Sequence, residues 1–272
     1  MAEYLGTEGT RPYAGAGWYY AEYRQRVSTA FVAMLAEQLG WTSRDRILDL
    51  GAGPGQLSLL VAPLVAEVVA IEPEPDMLAE GERRAKAQGV NNVRFVLASS
   101  DDLPTLGPSL GRFRSALMGQ SFHWMIEKDR VLRDLSAMID QTDGSVGFIV
   151  PWRVAVPDAL ETAEKTIQTI LKRYLADVPP GPHPNGRHDP FDAILTRSAF
   201  PRVEVIEHLY QAPVRPTVEA LVGSEYSMSH VLTRLGDRRA EFERDVRATL
   251  ANLDELGEVR VGWRDEALIG RR

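Results

Sequence analysis

The sequence contains no cysteine. Disulfides and thiolate metal sites are thereby excluded, and a cytoplasmic setting is expected. No run of about 18 uncharged apolar residues occurs, so no membrane span is expected. The N-terminus lacks the basic start and apolar core of a signal peptide. No strongly basic run appears and the formal net charge is -7, which argues against an extended nucleic-acid face. A Ser-His-Asp hydrolase is disfavoured because no G-x-S-x-G elbow is present. His183, Asn185, His188 and Asp189 share a proline-rich loop, but their spacing matches no compact metal motif, and no metal is expected.

What remains is a chain of 272 residues with 44% hydrophobic content, enough for one large α/β domain with a core. Its organising stretch is Arg46 to Gln56. A short apolar run carries Asp49 near its end; Gly51, Gly53 and Gly55 follow at alternate positions, and Gln56 starts a run with helical spacing. This predicts a buried strand, a tight turn and a helix start. Glycine lets the backbone turn sharply and approach a ligand closely. The helix N-terminus presents unpaired N–H groups to that ligand. The spacing is G-x-G-x-G, not the G-x-G-x-x-G of a dinucleotide fingerprint.

A second apolar run, Glu67 to Ile71, ends in Glu72. An acid at the carboxyl end of a second strand, about 20 residues after the glycines, can accept hydrogen bonds from both ribose hydroxyls of a nucleoside. Further strands are expected at Val93–Ala98, Phe113–Met118, Ser145–Val150, Val203–Tyr210 and Gly262–Ile269. Helices alternate with the first five, which implies a parallel sheet with right-handed crossovers. Tyr20 to Leu39 reads as one amphipathic helix. Asp76 is expected to cap the helix after Glu72. Asp158 begins a long helix, with Glu161 completing a capping box. The aromatic cluster Tyr13, Trp18, Tyr19, Tyr20 and Tyr23 suits either core packing or a lid.

The segment around Asp49, Gly51, Gly53 and Gly55 resembles the first motif of the class I S-adenosylmethionine-dependent methyltransferases. Three more stretches carry the same resemblance in order: Tyr20-Ala21-Glu22-Tyr23-Arg24, Ser99-Ser100-Asp101-Asp102-Leu103-Pro104, and Gly119-Gln120-Ser121-Phe122-His123-Trp124. The match covers Tyr20 to Val150 well and the last two strands loosely. It is similar to the small-molecule members of the family, the methyltransferase 11 and trans-aconitate methyltransferase-like group. Ser99 stands where an Asp is common, and Phe113-Arg114 replaces the usual Phe-Asp.

The resemblance implies one Rossmann-like, doubly wound domain over 1–272, with a seven-stranded, mostly parallel sheet whose last strand is antiparallel. Residues 1–40 would form a helical lid, and 153–190 a helical cap insert after strand five. The implied cofactor is S-adenosylmethionine, contacted by Tyr20, Arg24, Asp49, Gly51, Ala52, Gly53, Gly55, Gln56, Glu72, Pro73, Met77, Ser100, Asp101 and Gln120. Arg24 would pair with its carboxylate unless it forms a surface salt bridge. Asp101 would accept from the adenine amino group. The acceptor would be a small molecule, perceived by Tyr19, His123, Trp124, Trp152, His188, Tyr226 and His230. His123 is the candidate catalytic base, since imidazole titrates near neutral pH. A structural histidine beside Trp124 is the favoured alternative, because amine acceptors need little base catalysis; His188 with Asp189, or His230, are other candidates. The expected activity is methyl transfer to an O, N or C atom, in secondary metabolism. A nicotinamide oxidoreductase, and a cofactor-binding protein without methyl transfer, stand as alternatives. No nucleic-acid or membrane partner is expected; the oligomeric state stays open, with a homodimer one option.

Overall fold

The computed structural model describes residues 11–178 and 190–272. Its chain runs α1 (Gly17–Tyr23), α2 (Thr29–Gln38), β1 (Arg46–Leu50), α3 (Gln56–Val61), β2 (Glu67–Glu72), α4 (Pro75–Ala87), β3 (Val93–Leu97), α5 (Leu103–Leu110), β4 (Ser115–Gly119), α6 (Lys128–Met138), β5 (Ser145–Ala155), α7 (Asp158–Tyr174), α8 (Phe191–Thr196), β6 (Arg202–Val214), α9 (Val218–Tyr226), α10 (Val231–Leu235), α11 (Arg239–Thr249) and β7 (Val259–Arg271). The strands form one seven-stranded sheet in the order β3-β2-β1-β4-β5-β7-β6. The first five are parallel, and β7 is antiparallel to both β5 and β6. This is the expected doubly wound arrangement.

The central strands are almost wholly apolar because helices cover both faces. On one face α2 and α3 pack Phe31, Leu35, Leu57 and Val61 against Ile47, Leu117, Ile149 and Ile269. On the other, α5, α6 and α8 pack Leu103, Leu132, Leu135 and Leu195 against Leu48, Leu50, Met118 and Phe148. A third apolar cluster joins α7, α9, α10 and α11 through Ile167, Ile170, Leu221, Leu235, Phe242 and Val246, with Tyr19, Tyr20, Met77 and Trp263 against it. The strand order reverses between β1 and β4, and in such sheets ligands bind outside the carboxyl ends at that point.

Several local expectations are corrected. Tyr20 to Leu39 is two helices, not one, because Ser28 starts a new one. Its Oγ accepts from the Phe31 N–H (3.2 Å), and its own N–H donates to Asp265 (2.8 Å). A hydroxyl cap of this kind competes with helix continuation. The Gln56 amide donates to the carbonyls of Tyr20, Ala21 and Arg24 and so closes α1. Glu74, not Asp76, caps α4, since Pro75 occupies the first helical position. Asp158 and Glu161 form no capping box; the preceding residue is Pro157, and Glu161 pairs with Lys165 (2.8 Å). Strands β6 and β7 are longer than expected because they pair continuously from Arg202–Arg271 to Val214–Val259. In the expected insert, residues 153–155 continue β5, and α7 follows.

Candidate functional site

Gly51 leaves β1 with φ +74°, the left-handed region that favours glycine. Its N–H and that of Ala52 donate to the Ile71 carbonyl (2.8 and 3.0 Å), which ties the turn to β2. A Cβ on Gly51 would stand 2.5 Å from the Ser121 Cβ. Ser121 follows β4, and its hydroxyl donates to the Leu50 carbonyl (2.6 Å). The glycine turn and the end of β4 are therefore in contact.

Glu72 closes this turn from the other side. Its Oε2 accepts from the Gly53 N–H (2.8 Å), and its Oε1 from the Glu74 N–H (2.9 Å). Each oxygen keeps a lone pair for a further donor. Glu72 lines a cleft with Leu50, Gly51, Gly53, Pro73 and Met77, and Ser99, Ser100, Gln120 and Trp124 line it too. Tyr13, Tyr20 and Trp124 meet edge to face over it, with ring centroids 5.9 and 5.6 Å apart. The Arg11 guanidinium clasps the fully buried Glu74 carboxylate and so anchors the segment that carries Tyr13.

A second cleft lies against the glycine turn, lined by Asp49, Gly51, Ala52, Gly53, Gln56 and Gln120 among others. Asp49 is buried. Its Oδ2 accepts from the Ser58 hydroxyl (2.6 Å), while its Oδ1 has no partner. A buried carboxylate oxygen without a donor is costly and suits a site that receives one from a ligand. These acceptors fit an adenosyl group with an attached amino acid: Glu72 would accept from the ribose hydroxyls and Asp49 from the amino-acid end.

Burial raises the Glu72 carboxyl from 4.5 to about 7, against the backbone N–H groups of Glu74 and Gly53. Burial likewise raises Asp49 from 3.8 to about 6, against its bonds to Ser58. Both groups hold more protons folded than unfolded between those values, so their contribution makes the unliganded protein less stable as pH rises through that window. Hydroxyl donation favours the ionised carboxylate. Cofactor affinity is therefore expected to rise from pH 6 to 8, by up to about tenfold per unit. Calorimetric titration across that range checks the slope; a Glu72→Gln variant should show a flatter one.

A third and larger space, about 790 Å³, opens beside these clefts. Its walls include Tyr23, Arg24, Trp152, Glu164, Tyr210, Ser224, Glu225, Met228 and Trp263. Gln120 lines all three spaces. It has φ +52°, uncommon for a residue other than glycine and typical of functional turns. Its N–H donates to the Ile149 carbonyl (2.9 Å), and its side-chain amide to the Gln25 carbonyl (3.3 Å).

Of the predicted cofactor residues, Tyr20, Gly51, Gly53, Glu72, Pro73, Met77, Ser100 and Gln120 line the first cleft. Asp49, Ala52 and Gln56 line the second, although the Gln56 amide is spent on the end of α1. Gly55 is set back, starting α3 and facing the Phe95 ring. Asp101 is not brought to a wall, because its carboxylate is held by Arg130 across from α6. Arg24 lines the large space, its guanidinium 5.8 Å from the Tyr20 ring centroid.

Of the predicted acceptor residues, Trp124 and Trp152 reach a wall. Tyr19 is packed among Trp18, Tyr23 and Tyr226, with its hydroxyl accepting from Arg239 (2.9 Å). Tyr226 is buried, its hydroxyl donating to Glu243 (2.9 Å). His230 is buried at the start of α10 with φ +63°, its N–H donating to the Pro12 carbonyl (2.6 Å). None of these three lines the spaces; tyrosine and histidine pair apolar bodies with polar tips, which suits them to a core as well as to a pocket. His123 lies beside Trp124 at 5.6 Å between rings and is not among the residues that line the three spaces. His188 lies outside the described residues. Sequence reasoning missed Ser121, Met125 and Glu225. Only Ser121 had a signal, its place directly after Gln120.

Residues 47–142 match the family model described as a methyltransferase domain. The chain is 27% identical over 141 residues to the probable S-adenosylmethionine-dependent methyltransferase CRG1 of Saccharomyces cerevisiae, covering 50% of this chain and 47% of that protein. It is 34% identical over 89 residues to the 23S rRNA (uracil(1939)-C(5))-methyltransferase RlmD of Shewanella amazonensis, covering 32% and 20%. The chain thus spans less than half the length of these curated relatives. A solved structure of a candidate type II methyltransferase from Anaeromyxobacter dehalogenans superposes with a TM-score of 0.57 at 20% identity, covering 92% of this chain and 98% of that one. That likeness supports the fold. The methyltransferase-domain match over residues 47–142 covers the glycine turn and the strand-two acid, and the sheet order is that of the class I methyltransferase fold.

Proposed function

We propose that the chain transfers a methyl group from S-adenosylmethionine to a small molecule held in the space of about 790 Å³. The observation that carries this reading is Gln120, which borders both cofactor clefts and the large space. A space of that size suits a compact acceptor, within the usual range of about 300–1,000 Å³. The net charge of -7 disfavours a nucleic-acid acceptor. The layer of α7, α9 and α11 is the proposed cap, and α1 with the Tyr13 segment the proposed lid. The proposal carries a cytoplasmic setting and a secondary-metabolite acceptor, supported by the cysteine-free composition and the cavity size. No helix among the described residues is long and apolar enough to cross a membrane.

The cofactor supplies an electrophilic methyl group on a sulfonium, so the chain's task is to bind, orient and exclude water. Glu72 would hold the ribose hydroxyls, with Asp49 and Arg24 at the amino-acid end. Tyr13, Tyr20 and Trp124 would shield the reacting region. The acceptor's nucleophilic atom must come roughly 3 Å from the methyl carbon, in line with sulfur. His123→Ala is expected to lower turnover by about tenfold or less and leave cofactor affinity unchanged, because His123 supports Trp124. A loss of about 10²-fold or more would instead identify a general base. The reading as a whole is tested with isotopically labelled cofactor and a metabolite extract. A product heavier by one methyl and release of S-adenosylhomocysteine are expected. Tight cofactor binding with no methylated product would leave a binding protein.

A further inference from the structure

Glu225 sits near the end of α9 and is 8% exposed. It lines the large space, yet its carboxylate makes no hydrogen bond or ion pair among the described residues. The other carboxylates on this wall are engaged. Glu164 is held by both guanidinium nitrogens of Arg153, one at 2.7 Å, and Glu22 by Arg84 at 2.9 Å. A largely buried carboxylate with no hydrogen-bond donor and no ion-pair contact is costly, and the cost is offset when a ligand brings one. Burial raises the Glu225 carboxyl from 4.5 to about 7, with Glu164 raising it further and Arg24 opposing.

The rest of the wall indicates what the ligand is. Tyr23, Trp152, Tyr210 and Trp263 supply ring faces and edges, and Met228 adds an apolar contact. Aromatic faces near a buried carboxylate favour a cation attached to an apolar body. The basic groups on the wall do not oppose this. Arg153 is spent on Glu164, Arg26 and Arg215 are exposed, and Arg24, whose charge is felt at Glu225, makes no ion pair with it and lies 5.8 Å from the Tyr20 ring centroid.

We propose that Glu225 is the acceptor-binding carboxylate of this site, and that the acceptor is a small aromatic or apolar molecule bearing a protonated amine. This rests on the methyl-transfer reading above. The amine is anchored by Glu225, and the body lies along the aromatic wall toward Gln120.

The test is a binding panel in saturating S-adenosylhomocysteine, using tryptamine and 2-phenylethylamine beside their matched alcohols, tryptophol and 2-phenylethanol. The amines are expected to bind at least tenfold more tightly than the alcohols. Glu225→Gln should bring them to the alcohol level while keeping its affinity for S-adenosylhomocysteine. Alcohols binding as tightly as amines, no binding by either amine, or amine affinity unchanged in the variant would overturn the proposal. Should the variant fail to hold S-adenosylhomocysteine, the wild-type comparison of amine with alcohol decides. If the wild type itself does not bind S-adenosylhomocysteine, the methyl-transfer reading falls and this inference with it. Cofactor binding without amine preference removes only the inference.

Discussion

Replacing Glu72 by alanine should weaken S-adenosylmethionine binding by roughly 30- to 1,000-fold, about 2–4 kcal/mol. On the proposed binding mode, two ribose hydroxyls would lose a charged acceptor. The Gly53 and Glu74 N–H groups, now bonded to Glu72 at 2.8 and 2.9 Å, lose theirs as well. The glycine turn then has one less tie to β2, so cofactor affinity should fall further than thermal stability. Glu72→Gln preserves the volume but exchanges one acceptor for a donor, and should lie between wild type and alanine. Isothermal titration calorimetry reads the effect directly. An alanine variant with wild-type affinity would show that this carboxylate merely braces the loop.

Gly51→Ala is the second change with a large expected effect. Two separate penalties add. The left-handed backbone, φ +74°, costs an alanine about 1–2 kcal/mol. The new Cβ would also stand 2.5 Å from the Ser121 Cβ, and such overpacking costs about 1–3 kcal/mol. Together they should lower the melting temperature by on the order of 5–10 °C, and displace the turn enough to abolish measurable cofactor binding. The double change Gly51→Ala with Ser121→Gly removes the clashing partner but leaves the backbone strain. It also loses the Ser121 hydroxyl's bond to the Leu50 carbonyl. It should therefore recover part of the stability and not all of it. Thermal melts of the three proteins separate the two penalties. A single variant as stable as wild type would mean that the turn tolerates a side chain.

The parts of the site that were legible from sequence are those written locally. The run Ile47 to Leu50, the glycines and Glu72 sit at fixed offsets, and parallel pairing of β1 with β2 brings Leu50 beside Ile71, one residue before that acid. Only the pairing of two consecutive strands is needed to foresee this. The break between α1 and α2 was not legible, because its cause is spread over the fold: Ser28 meets Asp265, and Gln56 caps α1 from another element. Asp101 had the right neighbours in sequence but is claimed by Arg130.

Tyr226 and Glu225 show the same limit at a single step. Adjacent residues on a helix point about 100° apart. Here that turn sends Tyr226 into the core and puts Glu225 on the cavity wall. Which of the two faced the ligand depended on how α9 is rotated against α7 and α11, and that rotation is set by packing of Leu221, Val222 and Phe242. Tyr226 was legible as a candidate from its residue type; Glu225 beside it was not.

The account stands on recognition of an adenosyl group by the glycine turn and Glu72, and calorimetric titration of the purified protein with S-adenosylhomocysteine, alongside NADH, tests it most directly. Saturable heat at one equivalent of S-adenosylhomocysteine, and none with NADH, is the predicted result. Heat from NADH with none from S-adenosylhomocysteine would contradict it.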